Sequence, residues 1–173
     1  MRIKKNRIGI LGGSFDPAHK GHLAISKIAA KKLKLKKIFW AITKKNPFKK
    51  KSNLDLSARI DLCKKITKKI KFIEVKCFEN KVRSNKTINL INFFTRNIKN
   101  EIFFIMGADN LINFHKWHKW KTISKKCTLI VFDRQGYKKK SLNSKTYKTL
   151  NKEKLKFINF NKVNISSSQL RKI

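Results

Sequence analysis

The chain alternates short apolar runs, rich in β-branched and aromatic residues, with longer amphipathic segments. Several of these runs are almost continuously apolar, which is typical of parallel strands covered on both faces. The predicted strands are Ile8–Leu11, Ile38–Thr43, Phe72–Lys76, Ile102–Met106, Thr128–Phe132 and Leu155–Phe160. A strand–helix rhythm of this kind predicts an α/β fold with a doubly wound, mainly parallel sheet. The ligand crevice is then expected at the carboxyl ends of the strands.

Between the strands, apolar residues recur at the three- and four-residue spacing of helices. The predicted helices are His22–Leu33, Asp55–Ile70 and Thr87–Ile98, with Ser52-Asn53 available to cap the second. The polar segment Gln135–Lys154 predicts a surface connection. No repeat or boundary interrupts the 173 residues, so the chain is expected to form one domain, 1–173.

The net charge of +36 arises from 45 basic and 9 acidic residues, and it raises the question of a nucleic-acid partner. Proteins that read nucleic acid usually concentrate their basic residues on one patch or arm. Here the lysines are spread over nearly every segment, so we interpret most of the charge as composition bias and expect no specific nucleic-acid partner. The charge would still attract anionic ligands. A non-catalytic, basic nucleic-acid-binding protein therefore stays open as an alternative.

The cysteines and the terminal sequence bear on location. Cys63, Cys77 and Cys127 are far apart and odd in number, which favours reduced thiols over a disulfide framework or a zinc site. The apolar run Ile8–Leu11 is too short for a signal peptide, and no other stretch approaches the length of a membrane span. We therefore expect a cytoplasmic protein without a membrane partner.

Two glycines, Gly12 and Gly13, follow the first predicted strand, where an α/β protein brings its backbone against a ligand. Glycine permits a tight turn and lets a nucleotide approach closely. No Gly-Lys-Ser/Thr sequence completes a P-loop, and no third glycine completes a dinucleotide-binding fingerprint. Pro17 fits the first turn of a helix that Asp16 could cap.

His19 and His22 are three residues apart and are expected to share one face of that helix's opening turn. A helix N-terminus favours phosphate, so two imidazoles there predict an anion site. The alternatives are two surface imidazoles without a function and a metal pair, since the same spacing recurs at His115 and His118. No cysteine or carboxylate stands at ligand spacing beside either pair, whereas a tetrahedral site needs four donors. We expect no protein-bound metal.

The segment Gly12-Gly-Ser-Phe-Asp-Pro-Ala-His-Lys-Gly-His22 resembles the signature of the His-x-Gly-His nucleotidyltransferase superfamily, which has a Rossmann-like fold. The resemblance implies in-line displacement at the α-phosphorus of ATP, with pyrophosphate leaving. Catalysis would then depend on positioning and charge neutralisation. His19 would contact the reacting phosphates and His22 would stabilise charge at the α-phosphate. The implied ATP-binding residues of this segment are Gly12, Gly13, Ser14, Phe15, His19 and His22.

A second segment, from Phe104 to Trp120, resembles the Gly-x-Asp-x-Leu block and tryptophan pair of bacterial nicotinate-nucleotide adenylyltransferases. The resemblance implies that Gly107 and Asp109 lie against the nucleotides and that Trp117 stacks on the pyridine ring. Stacking suits a large flat π surface. Tryptophans at helical spacing are also common in cores, and we interpret Trp120 as structural.

A third segment, Ile165-Ser-Ser-Ser-Gln-Leu-Arg171, resembles the family's Ile-Ser-Ser-Thr-x-Ile-Arg. There a serine-rich start of a short C-terminal helical segment and an arginine hold the ATP phosphates, which assigns Ser167, Ser168 and Arg171 to ATP. Family members usually continue past this arginine, but activity is expected of this chain as well.

The mononucleotide-binding residues follow from weaker matches. Asn46-Pro-Phe-Lys49 resembles a loop that closes on the mononucleotide. Ser84-Asn-Lys-Thr87 replaces the family's Ser-Tyr-Thr, and Arg134 is followed by Gln135 where the family has proline. The residues of each of these three matches could equally be solvated loop residues. The implied set is Asn46, Lys49, Thr87, Asp109, Trp117 and Arg134.

Together the motifs predict transfer of AMP from ATP to nicotinate mononucleotide in NAD biosynthesis, with Mg²⁺ neutralising the polyphosphate. Open alternatives within the superfamily are phosphopantetheine and nicotinamide mononucleotide adenylyltransferases. A cytidylyltransferase is disfavoured by the Gly107–Trp117 block. A homo-oligomer is possible.

Overall fold

The computed structural model describes residues 5–45, 52–97, 99–134 and 136–160. Six parallel strands form one sheet in the order β3-β2-β1-β4-β5-β6. The strands are β1 Asn6–Gly13, β2 Lys37–Ile42, β3 Ile73–Lys76, β4 Asn100–Gly107, β5 Thr128–Phe132 and β6 Leu155–Ile158. This doubly wound, Rossmann-like sheet confirms the predicted fold class. All six apolar runs form strands, and the last strand ends two residues before the predicted Phe160.

The helices cover both faces of the sheet. They are α1 Lys20–Leu33, α2 Leu56–Thr67, α3 Glu79–Val82, α4 Thr87–Thr95, α5 Ala108–Asn113, α6 Trp120–Lys126, α7 Lys138–Leu142 and α8 Lys145–Thr149, with 3-10 turns at Phe114–Lys116 and Lys152–Lys154. The three predicted helices are all present. Two hydrophobic clusters result, one packed under α1 and α2 and the other under α4, α5 and α6. Among the described residues, no helix is long and apolar enough to cross a membrane.

Three local predictions were wrong in instructive ways. The segment Gln135–Lys154 is not only a surface connection, because α7 and α8 bury the side chains of Ser141 and Thr146 completely. Helix α2 is capped by Asp55, whose Oδ1 accepts the Ala58 N–H at 2.8 Å, and not by Ser52-Asn53. Side-chain oxygens one residue before the helix have the best geometry for its free amides.

The predicted cap of α1 was the third error. The helix begins at Lys20 with His19 as its N-cap, so neither Asp16 nor Pro17 belongs to its first turn. The buried carboxylate of Asp16 instead accepts the N–H groups of Asn53 and Leu54, at 2.8 and 3.1 Å. Local spacing could not reveal this partner, which is 37 residues away in sequence.

The cysteines are free thiols in the structure. Burial raises the pKa of both Cys63 and Cys127 to about 12, against a weaker opposing effect of Arg59 and Lys154 respectively. Both thiols therefore stay protonated and serve as small apolar core residues.

Candidate functional site

The site lies where the strand order reverses, between β1 and β4. The two strands are adjacent and parallel, and both end in glycine at the same edge of the sheet, β1 in Gly12-Gly13 and β4 in Gly107. In open α/β sheets this reversal leaves a crevice beside the carboxyl ends of the strands. The sheet topology therefore brings the first two motifs of the sequence together.

The turn after β1 is made by a phenylalanine rather than by glycine. Phe15 has φ of 49°, in the left-handed region that bulky side chains rarely adopt. Its ring is buried and stacks on Trp40, with ring centroids 5.0 Å apart, and it also contacts His22. Packing on both sides holds this strained backbone in place, a pattern that recurs at functional sites.

His19 and His22 form the N-terminal cap of α1, with ring centroids 4.0 Å apart. Nδ1 of His19 accepts the Gly21 N–H at 3.0 Å, and Nδ1 of His22 accepts the His19 N–H at 3.2 Å. This is a capping box built from two imidazoles. A ring nitrogen that accepts a hydrogen bond carries no proton, so the proton of each neutral ring is on Nε2. The cap thus makes both rings Nε2–H donors.

Burial, and secondarily the positive charge of Arg134, lowers the pKa of His19 to about 4. Protonating Nδ1 would also break the bond from Gly21. His19 is therefore neutral near pH 7 in this structure, and it offers phosphate a directed N–H donor.

A buried hydrogen-bond chain supports His22. The indole Nε1 of Trp40 donates to Oγ of Ser26 at 2.9 Å, and that hydroxyl donates to the main-chain oxygen of His22 at 2.8 Å. Sequence reasoning missed Trp40 and Ser26, because one stands within an apolar run and the other is a small residue of a helix. No local signal distinguishes them from ordinary core residues.

Asp109 and Arg134 meet at the end of β4. Arg134 Nη1 is 2.8 Å from Asp109 Oδ2, with the two side chains 41% and 28% exposed. The other carboxylate oxygen covers Gly107, where an added Cβ would lie 2.5 Å from it. Because Arg134 also lowers the pKa of His19, this ion pair and the histidines belong to one electrostatic site.

A cavity of about 460 Å³ opens beside the turn. Gly12, Gly13 and Ser14 line it, together with Thr87 and Trp117 from other elements. The remaining lining residues are Ala41, Ile42, Thr43, Phe78, Glu79, Val82, Ser84, Asn85, Lys86, Leu90, Phe104, Asn110, Lys116 and His118. Phe15, the histidine pair, Gly107, Asp109 and Arg134 are not among its lining.

Trp117 lies in the cavity wall and also packs against the hydrophobic core. It is half-buried, packs edge-on against Phe104 with ring centroids 5.9 Å apart, and lines the cavity. Trp120, the first residue of α6, packs against Phe114 and does not line the cavity. The interpretation of Trp120 as structural agrees with this position.

Glu79 is a site residue that the sequence analysis did not identify. Its Oε1 accepts from Thr43 Oγ1 at 2.6 Å and from the Lys44 N–H at 2.9 Å, and both Glu79 and Thr43 line the cavity. The carboxylate thus holds the carboxyl end of β2 against α3.

Five predicted site residues lie outside the described residues: Asn46, Lys49, Ser167, Ser168 and Arg171. The predicted C-terminal helical segment lies there too. In the part of the chain that is described, no group of three or more histidine, cysteine, aspartate or glutamate side chains is placed to hold a metal ion.

Comparison with known proteins shows the family. Residues 10–173 match the model of the cytidylyltransferase-like family. A curated relative from Pelagibacter ubique, named "Probable nicotinate-nucleotide adenylyltransferase", is 69% identical over 100% of this chain and 96% of its own length. A second relative of the same name, from Bradyrhizobium, is 36% identical over 86% of this chain and 78% of its own.

Among solved structures, nicotinic acid mononucleotide adenylyltransferase of Plasmodium falciparum, complexed with NaAD, superimposes with a TM-score of 0.78. The match covers 96% of this chain and 83% of that chain at 22% identity, so the likeness is one of fold. The family match and the 69% identical relative together decide the assignment. The chain belongs to the nicotinate-nucleotide adenylyltransferases, within the cytidylyltransferase-like nucleotidyltransferases.

Proposed function

We propose that the chain transfers AMP from ATP to nicotinate mononucleotide, forming nicotinate adenine dinucleotide and pyrophosphate. The observation that carries the proposal is the pair of imidazoles capping α1, both fixed as Nε2–H donors at the β1–β4 crevice. The adjoining cavity, with the ring of Trp117 in its wall, supports a flat heterocycle as the second substrate. The names of the two curated relatives agree with this pair of substrates.

The chemistry needs no nucleophile from the protein. A phosphate oxygen of the mononucleotide forms a bond to the α-phosphorus of ATP while the bond from that phosphorus to pyrophosphate breaks. Negative charge moves onto the departing pyrophosphate, so fixed donors and cations accelerate the reaction by positioning and charge stabilisation. We assign the donors to His19 and His22 and the cation to Arg134.

We assign the remaining predicted contacts as follows. Gly12, Gly13, Ser14 and Phe15 would follow the triphosphate, with Gly107 and Asp109 on the nucleotides. Thr87 and Trp117 would hold the mononucleotide, and Lys86 and Lys116 add positive charge to that cavity wall. Asn46 and Lys49 for the mononucleotide, and Ser167, Ser168 and Arg171 for ATP, stay predictions.

Nucleotidyltransferases of this kind generally need a divalent metal. The carboxylate of Asp109 is already engaged with Arg134, which fits Mg²⁺ held mainly by phosphate oxygens and water. Bound in that way it would neutralise the polyphosphate. The cytoplasmic location and the possible homo-oligomer stay predictions.

The test is pyrophosphate release by the purified protein with ATP and Mg²⁺, using nicotinate mononucleotide, nicotinamide mononucleotide and phosphopantetheine in parallel. We expect release with the nicotinate compound and much less with the other two. Thermal stabilisation by an oligonucleotide at physiological salt, measured beside it, addresses the nucleic-acid alternative. Absence of release with nicotinate mononucleotide, across varied salt and metal, would overturn the proposal.

A further inference from the structure

Arg59 is buried at the beginning of α2, where a positive charge is energetically unfavourable. It lies in the first turn of α2 and is 2% exposed. A cation near a helix N-terminus opposes the helix dipole, and burying a guanidinium costs free energy unless its donors are satisfied. A residue placed against local preference indicates a role beyond the stability of its own helix.

The side chain joins three segments that are distant in sequence. Nη1 donates to the carbonyl oxygens of Ser14 and Thr43 at 2.7 and 2.8 Å, and Nη2 donates to that of Lys44 at 3.0 Å. Nε contacts the carbonyl oxygens of Leu54 and Asp55 at the start of α2, at 3.2 and 3.3 Å. All five acceptors are main-chain oxygens, so these hydrogen bonds stabilise the guanidinium without a neutralising carboxylate among them.

This network sets the orientation of the turn after β1. Nη1 holds the Ser14 carbonyl toward α2. In a trans peptide the C=O and N–H groups point in opposite directions, so the N–H of Phe15 points away from α2. Asp16 ties the other end of the turn to α2 by accepting the N–H groups of Asn53 and Leu54. The turn is thus bound to the beginning of α2 from both of its ends.

The same side chain stands directly behind the cavity. Ser14 and Thr43, two of its acceptors, line that cavity. A positive charge therefore lies one peptide group behind the surface that would meet an anionic ligand, and the buried carboxylate of Asp16 on the same turn offsets part of it. Lysine could not replace it, since a single ammonium cannot reach acceptors on three segments in a planar fork.

We propose that Arg59 is a positioning residue for the triphosphate of ATP: it orients the Gly12–Phe15 turn and supplies positive potential behind it. The inference rests on the proposed function for the identity of the ligand. It assigns Arg59 no contact with substrate, since the side chain acts through Ser14 and the peptide that follows.

The experiment compares Arg59→Lys and Arg59→Met with the wild type at 10 °C. Thr67→Ala is the matched control, because it removes a hydrogen bond to the Cys63 carbonyl and buried packing at the other end of the same helix, away from the Arg59 network. NMR titration gives the dissociation constants of ATP and adenosine, and the ratio of the two isolates the phosphate contribution. Binding of ATP alone is measured, so the result does not depend on turnover with any mononucleotide.

We expect Arg59→Met to weaken ATP binding by at least about tenfold while adenosine binding changes little. Arg59→Lys should fall between it and the wild type, because it keeps the charge and loses the fork. In turnover, misplacement of the turn should lower kcat/KM for ATP by about 10²-fold. Thr67→Ala should lower the Tm and leave the ratio of the two dissociation constants and kcat/KM for ATP unchanged.

The inference would be overturned if folded Arg59 variants had the same ratio of ATP to adenosine dissociation constants as the wild type. So would failure of both variants to fold at 10 °C, which would assign Arg59 to the core alone. If the wild type binds ATP but releases no pyrophosphate with any mononucleotide, the proposed function fails while the role of Arg59 is still decided by the binding data.

Discussion

The two sides of the crevice are built on different principles. On the β1 side, Phe15 and Asp16 are almost completely buried and each is held by partners from other segments. In the cavity wall supplied by α4 and the segment after α5, Thr87 and Trp117 are only half-buried. The buried side has one geometry, whereas the open wall can adjust its side chains around a ligand.

This difference predicts a division of labour. Donors that stabilise developing charge must be in place before the reaction, because reorganising them during it costs free energy. Contacts that only bind a substrate tolerate adjustment. Changes on the β1 side are therefore expected to act mainly on kcat, and changes on the wall mainly on the KM of the mononucleotide.

The largest effect is expected from His19→Asn and His22→Gln. Asparagine is a good N-cap residue and glutamine suits the third position of a capping box, so both variants keep α1 capped while removing an imidazole N–H. Each should lower kcat by about 10²–10³-fold, the usual cost of a lost donor to transition-state charge. A pyrophosphate-release assay measures kcat, and thermal unfolding separately measures stability.

The control for the histidine variants is His19→Ala, which loses both the cap and the ring. It should be about as inactive as His19→Asn and less stable by about 1 kcal/mol. Wild-type kcat in a folded His19→Asn or His22→Gln protein would remove the histidines from the reaction and with them the proposed contrast between the two sides.

The next effect should come from Trp117→Ala. Loss of a stacking surface is worth about 1–3 kcal/mol per ring, so the KM of the mononucleotide should rise about 10–100-fold with a small change for ATP. Trp120→Phe is the control: it weakens packing against Phe114 outside the cavity, and should reduce the Tm without changing either KM. Equal kinetic effects of the two substitutions would indicate that both tryptophans act through the core.

A smaller effect is expected from Gly107→Ala. The new Cβ would lie 2.5 Å from Asp109 Oδ1, which displaces the carboxylate and breaks the ion pair with Arg134. A half-exposed ion pair is worth up to about 1 kcal/mol, so kcat/KM should fall about fivefold. Asp109→Asn, which weakens the same pair without adding a Cβ, should match it; a larger loss in Gly107→Ala alone would point to Cβ contact with the nucleotide.

The last prediction concerns stability at low pH and leaves activity near neutral pH unchanged. The pKa of His19 is about 4 in the folded chain and 6.5 for an ordinary imidazole, so the unfolded chain takes up a proton that the folded chain does not. The stability contribution of the neutral ring is complete above about pH 6.5 and is lost as the pH falls toward 4. Denaturant unfolding should show wild-type stability declining through this window more steeply than that of His19→Asn. Parallel curves would contradict the lowered pKa.

Much of the site could be predicted because its parts are local in sequence. Gly12-Gly13 ends a strand that reads as a continuous apolar run, and the three-residue spacing of His19 and His22 places both on one helical turn. Apolar runs covered on both faces predict strands well, since nothing else buries so many branched side chains at once. The edges of helices were less predictable, because any of several polar residues near Asp55 could have capped α2.

What the sequence determined by itself was the order of strands and helices, the glycine-ended first strand and the pair of histidines at the start of α1, all of which follow from neighbours within a few residues. Tertiary structure alone decided the rest: the ion pair of Asp109 with Arg134, the attachment of Asp16 to the start of α2, and the three segments joined by Arg59. These partners are 15 to 45 residues apart. They meet only because the parallel crossovers return each strand to the same edge of the sheet, and no local pattern encodes which polar atoms will face one another there.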